Sequence, residues 1–130
     1  MHAVDLVTSN FAPLNLIADP HELFRALHGI TAPHGRVLTS VLNPSFIGDM
    51  RYGWWWANRI RYWQGGQFAV PGASGEIWRR SQANFAAQAA PYFSLRSVLR
   101  GLPRRSGALR PSGRLALSTS RYMFLLFERQ

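Results

Sequence analysis

Ala3-Val-Asp-Leu-Val-Thr-Ser-Asn-Phe-Ala-Pro-Leu-Asn15 is the stretch on which the fold turns. Ala3 to Thr8 are mostly apolar or β-branched, the composition of a short buried strand, and Ser9-Asn10 is a polar turn whose side chains can bond to nearby backbone. A buried strand this close to Met1 is expected to be the middle of a sheet rather than its beginning.

The rest of the chain extends outward from that strand. Asp19-Pro20 begins a helix, because aspartate accepts from the free amides of a first turn and proline suits the first helical position. Leu23, Phe24, Leu27 and Ile30 follow at helical spacing, so one face should pack on a sheet. Ala32-Pro33-His34-Gly35 stops the helix, and Arg36 to Leu42 reads as a second buried strand. Strand, helix and strand in this order make a parallel crossover unit. Gln82 to Ala90 is an alanine-rich helix ended by Pro91, and Tyr92 to Leu99 alternates as a half-exposed strand. Leu102 to Gly113 is a polar loop, Leu115 to Ser120 leads out of it, and Tyr122 to Phe127, apolar on both faces, is a central strand.

Between the second strand and the alanine-rich helix lies an insertion of about residues 45–80. Asp49 to Trp63 is crowded with aromatics, and on a helical period Tyr52, Trp56, Ile60 and Trp63 share a face. Gly65-Gly66 ends that helix, Gln67 to Gly75 is turn-rich, and Glu76 to Arg80 is a short extended piece. With no repeat and no linker, residues 1–130 read as one domain.

Apolar residues make up 47% of the chain and charged residues 16%, which argues for a packed globule and against disorder. The net charge is +9, and all fifteen basic residues are arginine. A complete lack of lysine points to coding bias rather than to a phosphate-binding surface. The field would still attract nucleic acid, anionic lipid or acidic substrates, but without a tight basic cluster nucleic acid is not the expected partner. The absence of cysteine excludes disulfides, thiolate metal sites and cysteine nucleophiles. The start lacks the features of a secretory signal, and a cytoplasmic location is expected.

Val4-Asp-Leu-Val-Thr-Ser-Asn-Phe11, then Leu14-Asn15, then Asp19 and its helix, then Pro33-His-Gly-Arg-Val-Leu38, resembles the second half of a class I S-adenosylmethionine-dependent methyltransferase. That family has an apolar strand containing Asp, a polar turn, a helix, and a Pro-Gly-Gly-Arg turn into the next strand; here His34 replaces the first glycine. Tyr122 to Glu128 is similar to the family's final antiparallel strand. The resemblance implies an α/β fold, half of a Rossmann-like methyltransferase sheet with adjacent strands in the family order 4-5-7-6, the last strand antiparallel, and flanking helices in three layers. The glycine-rich turn and acidic residue that hold the cofactor's adenosine and carboxylate would lie before Met1, and neither Gly65-Gly66 nor Gly72-Ala-Ser-Gly75 is followed by a helix that could replace them.

The resemblance therefore implies a methyltransferase portion acting on a small-molecule acceptor, inactive alone, with S-adenosylmethionine bound weakly or not at all. The open edge would be Ala3 to Thr8, where a homodimer or a partner chain supplying the N-terminal half would pair. Ser9, Asn10 and Phe11 would border the methionine part of the cofactor; with half the crevice absent, a simple capped turn is the reading that competes with this one and is preferred to it. Asn10-Phe11-Ala12-Pro13 departs from the Asp/Asn-Pro-Pro-aromatic motif of amino-methylating members, so no catalytic residue is assigned.

Asn15, Trp56 and Trp63 are the candidates for acceptor or lid contact; Asn15 and Asn43 would serve as well to satisfy backbone groups. The Trp54 to Trp63 segment reads as a lid, as a helix packed on the sheet, or as an interfacial helix. His21 and His34 read as surface histidines. His21-Glu22-Leu-Phe-Arg25 lacks the second histidine of a zinc-protease helix, and no ligand cluster predicts a metal. Gly72-Ala-Ser-Gly75 breaks the nucleophile-elbow pattern. The competing functions are a non-catalytic remnant or interaction module that dimerises through the first strand, and an arginine-rich binder of nucleic acid or membrane surface.

Overall fold

The computed structural model describes residues 2–10, 12–100 and 120–130. Strand β1 (Val4–Ser9), helix α1 (Pro20–Ile30) and strand β2 (Thr31–Leu42) form the crossover unit, with β1 and β2 parallel and Val7 beside Val37. Asp19 caps α1 by accepting from the His21 amide at 3.1 Å, with Pro20 first in the helix. The chain passes directly from Ile30 into β2, so Ala32-Pro33-His34-Gly35 lies inside that strand, where the register against β1 shifts. His34 has a φ of 61°, and a Cβ on Gly35 would lie 2.8 Å from the Ala32 carbonyl oxygen and 3.1 Å from that of Val4. Glycine is needed there because the two backbones approach so closely.

Helix α4 (Gln82–Ala89) follows the insertion and is capped by Ser81, whose hydroxyl accepts from the Asn84 amide at 3.1 Å. Strands β5 (Phe93–Arg100) and β6 (Tyr122–Arg129) complete a four-stranded sheet in the order β1-β2-β6-β5. β6 lies between β2 and β5 and runs antiparallel to both. This is the half-sheet expected from the sequence, with the last strand reversed and central.

One face of the sheet carries the core. Val37, Val41, Met123, Leu125 and Phe127 pack with Phe24 of α1 and with Phe85 and Ala89 of α4. The Phe24 ring lies 5.0 Å from that of Phe127 and 6.0 Å from that of Phe93. On the other face Leu6, Leu38 and Tyr122 are exposed. Three layers were expected; among the described residues the sheet-packed helices α1 and α4 lie together on one face. The reason is handedness. β1 to β2 and β2 to β5 are both parallel connections that step in the same direction across the sheet, and right-handed crossovers then put both helices on the same side.

The insertion is more regular than its sequence indicates. After a 3-10 turn at Ile47–Arg51 come α2 (Gly53–Ala57) and α3 (Arg59–Gly65), then β3 (Gln67–Gly72) and β4 (Gly75–Arg80), which pair as an antiparallel hairpin outside the main sheet. The single helix expected over Asp49 to Trp63 is two, separated at Asn58, whose side-chain amide donates to the Trp54 carbonyl at 2.8 Å. The side chains that this helix buries are Trp55 and Tyr62, whereas Tyr52, Trp56, Ile60 and Trp63 are exposed. Tyr62, Phe68 and Val70 form a second small core with Trp54 and Ile77. Phe68 and Val70 point inward at strand period, and this alternation, obscured by Pro71 and the flanking glycines, is what makes the turn-rich stretch a hairpin. The loop expected over Leu102 to Gly113 and most of the segment Leu115 to Ser120 lie outside the described residues.

Candidate functional site

Parallel strands present their carboxyl ends at one edge of a sheet, and ligands of open α/β sheets sit there. In this chain that edge is built by β1, by β2 and by the turn after Ser9. Ser40 on β2 holds the turn: its hydroxyl donates to Asn10 Oδ1 at 3.2 Å and accepts from the Ala12 amide at 3.3 Å. Ala12 is buried with φ 57° and ψ 43°, a left-handed conformation that costs a non-glycine residue about 1 to 2 kcal/mol. The Ser40 bond and the 3-10 turn Pro13–Leu16 that follows keep it there. Ser9 is half-buried and Asn10 exposed, both at this edge; Phe11 lies outside the described residues.

Asn15 is only 1% exposed. Its Oδ1 accepts from the Leu42 amide at 2.9 Å and its Nδ2 donates to the Trp78 carbonyl at 2.5 Å, so it braces the end of β2 against the hairpin. Asn43 does similar work one residue past β2: Nδ2 donates to the Ser120 carbonyl at 3.0 Å, and Oδ1 accepts from the Ser45 amide at 3.0 Å. Both amides bond to backbone at both ends.

Two arginines lock the hairpin to this edge. Arg79 forms a buried ion pair with Asp49 at 3.2 Å and lies 5.2 Å from the Trp54 ring. Arg80 is fully buried and donates to the carbonyls of Leu14, Ile17 and Ala18 at 3.3, 2.8 and 2.8 Å, and to Gln67 Oε1 at 3.2 Å. Burial lowers the pKa of each guanidinium; Asp49 opposes this at Arg79 and Asp19 at Arg80. Guanidinium nonetheless stays protonated in proteins. Neither arginine nor Ser40 was singled out in the sequence. The available signal was Asp49, the lone acid between Glu22 and Glu76, with an Arg-Arg pair at the end of an extended piece.

Trp56 and Trp63 are solvent-facing. Trp56 Nε1 donates to the Met50 carbonyl at 2.7 Å, while Trp63, Arg59, Ile60 and Gln64 line an open groove of about 320 Å³ along α3. Arg59 connects α3 to the same edge of the sheet, donating to the Pro44 carbonyl at 3.4 Å and lying 4.0 Å from the Trp55 ring. Burial lowers its pKa, with Tyr62 opposing.

The histidines serve packing where the structure gives them partners: His21 Nδ1 meets the Gln88 carbonyl at 3.1 Å, and the ring lies 5.3 Å from that of Tyr92. Gly66, at φ 70°, caps α3, and Gly72 and Gly75 flank the hairpin turn, so neither glycine pair opens a helix. Among the described residues no group of three His, Asp or Glu side chains could hold a metal ion.

No family model matches the chain, and no curated protein sequence matches it. Solved structures do share its fold. An S-adenosylmethionine-dependent methyltransferase from Mesorhizobium loti superposes with a TM-score of 0.64 at 19% identity, covering 99% of this chain and 65% of that one. The CcbJ methyltransferase from Streptomyces caelestis gives 0.57 at 12% identity, covering 99% and 62%. An S-adenosylmethionine-dependent methyltransferase from Clostridium acetobutylicum gives 0.56 at 9% identity, covering 98% and 58%. The fold is therefore that of a class I methyltransferase sheet, and the chain spans less than two thirds of the length of these neighbours.

Proposed function

We propose that this chain is the acceptor-side portion of an S-adenosylmethionine-dependent methyltransferase for a small molecule, working when a second polypeptide segment completes the sheet beyond β1. The observation that carries this reading is the sheet order β1-β2-β6-β5 with a central antiparallel β6, in a chain alike in fold over 98–99% of its length to known methyltransferases. The residues present fit part of the cofactor. Ser9 and Asn10 would border its methionine end with a hydroxyl and an amide, and the sequence puts Phe11 next to them. For its adenosine, no glycine turn running from a strand into a helix is found among the described residues. If bound there, the cofactor would supply a sulfonium methyl for in-line displacement, and the chain's own task would be positioning. Ser40 and Ala12 fix the turn, Asn15 and Arg80 fix the hairpin, and the α2–α3 segment is the lid. The edge of β1, with Val4 and Leu6 exposed, is where a second copy or the glycine-rich half would pair.

The test joins this chain to the amino-terminal portion of the Mesorhizobium loti enzyme and measures S-adenosylmethionine binding by calorimetry. The chain alone is expected to show no micromolar affinity, and the folded chimera to regain it and to lose it again with Ser9→Ala and Asn10→Ala together. A folded chimera that binds nothing would refute the reading in favour of an interaction module, the role to which the open edge of β1 otherwise lends itself. Micromolar binding by the chain alone would refute the incomplete pocket.

A further inference from the structure

The lid has one feature that methyl transfer does not use. Trp56, Ile60 and Trp63 are 59%, 70% and 61% exposed, on successive turns across the Asn58 joint, in a protein that buries Trp55 and Tyr62 on the same two helices. Tyr52 is exposed beside them, its ring stacked on Trp54 at 5.9 Å. From Met50 to Gly75 the sequence holds Arg51, Arg59 and Arg61 and no acidic residue. Large apolar side chains exposed together mark an interaction surface.

We infer that the α2–α3 face docks on an anionic membrane surface, with Trp56, Ile60 and Trp63 entering the headgroup boundary and Arg51 and Arg61 meeting lipid phosphates. Charge complementarity selects this occupant. A second copy of the chain would bring the same uncompensated arginines face to face, and the whole chain carries +9. The Trp63 indole suits the boundary because its body is apolar and its N–H polar, Trp56 brings an apolar ring whose N–H is already given to the Met50 carbonyl, and an arginine can keep its stem in the apolar layer with its head in water. Nucleic acid fits less well, because the most exposed side chain of the patch, Ile60, has neither a stacking face nor a hydrogen-bonding group. Among the described residues no helix is long and apolar enough to cross a membrane, so the contact is peripheral. Resting on the proposed methyl transfer, a lid that meets lipid would admit an amphiphilic acceptor.

Co-sedimentation of the full chain with phosphatidylglycerol vesicles, read beside tryptophan emission, tests the docking without cofactor or acceptor. Failure here leaves methyl transfer standing, and failure of methyl transfer leaves the docking standing. Binding to phosphatidylglycerol but far less to phosphatidylcholine is expected, with a blue-shifted emission. Trp56→Ala with Trp63→Ala should weaken partitioning by on the order of tenfold, and Arg61→Gln should weaken it a few-fold and flatten its salt dependence. Trp56, Trp63 and Arg61 are exposed, so the variants are expected to stay folded, which circular dichroism checks; Ile60→Gln is an independent variant expected to act in the same direction. No binding to anionic vesicles at low salt would overturn the inference, as would binding unaffected by the tryptophan substitutions. A dimer, or single-stranded RNA binding, abolished by those substitutions while vesicle binding persists would overturn it in favour of that partner.

Discussion

β6 and the hairpin β3–β4 bury opposite kinds of side chain. On β6, Met123, Leu125 and Phe127 are completely buried at alternate positions, against Phe24 and the other core residues of α1 and α4. On β4 the fully buried side chain is Arg80, with Arg79 nearly so, while Trp56 and Trp63 of the preceding helices lie in solvent. What each strand packs against explains the contrast. β6 has a paired strand on both sides, its backbone is satisfied, and its inner face meets only apolar side chains. The hairpin lies against the irregular stretch Leu14 to Ala18, whose carbonyls have no strand to accept from, and the five N–H groups of a guanidinium satisfy several of them at once. Burial therefore follows unmet hydrogen-bonding demand as closely as it follows hydrophobicity.

Substitutions can break or sharpen that contrast. Arg80→Met is expected to destabilise the chain by about 3 to 5 kcal/mol in urea denaturation, because it orphans the carbonyls of Ile17 and Ala18 and leaves that of Leu14 only the Ile17 amide. A loss below about 1 kcal/mol would mean that these carbonyls are hydrated and that the arginine is not what anchors the hairpin. Phe127→Ala, the matching deletion on β6, should cost about 3 to 4 kcal/mol through the cavity it leaves beside Phe24. A matched loss in both variants would show that the two regions reach comparable stability by different means. Asn15→Ala removes one bond to β2 and one to the hairpin, and a fall of about 1 to 3 kcal/mol in thermal denaturation is expected. Leu6→Lys on the open edge of β1 should change stability by no more than about 0.5 kcal/mol while reducing self-association in analytical ultracentrifugation. A large stability loss there would mean that the edge is covered in solution.

Local signals carried the main sheet. Asp19-Pro20 set the start of α1, the apolar composition of Val4 to Ser9 and of Val37 to Leu42 set the parallel pair, and Tyr122 to Phe127, apolar on both faces, required a central strand. Each depends on residues close in sequence, so each could be read without knowing what packs where. The candidate edge was legible in Ser9 and Asn10 for the same reason: a polar turn after a parallel strand has one place to be. Its supports were not. Ser40 lies 28 residues from Ala12, and Arg80 lies 66 residues from Leu14, so their bonds exist only after the chain has folded. The helix of the insertion was assigned its face by periodicity alone. Tyr52, Trp56, Ile60 and Trp63 do repeat at helical spacing, but Trp54 and Tyr62 meet the hairpin, and a stripe on a helix does not say which side will find a partner.

Composition and spacing over a few residues thus gave the strands and helices of the main sheet, the central place of β6 and the apolar edge of β1, but not the hairpin or the two helices of the insertion. Tertiary structure alone decided that α1 and α4 share one face of the sheet, that Arg79 and Arg80 are buried in an insertion that exposes Trp56 and Trp63, and that Asn15 is a brace. Those outcomes depend on crossover handedness and on carbonyls left without strand partners, both of which arise only when distant parts of the chain meet.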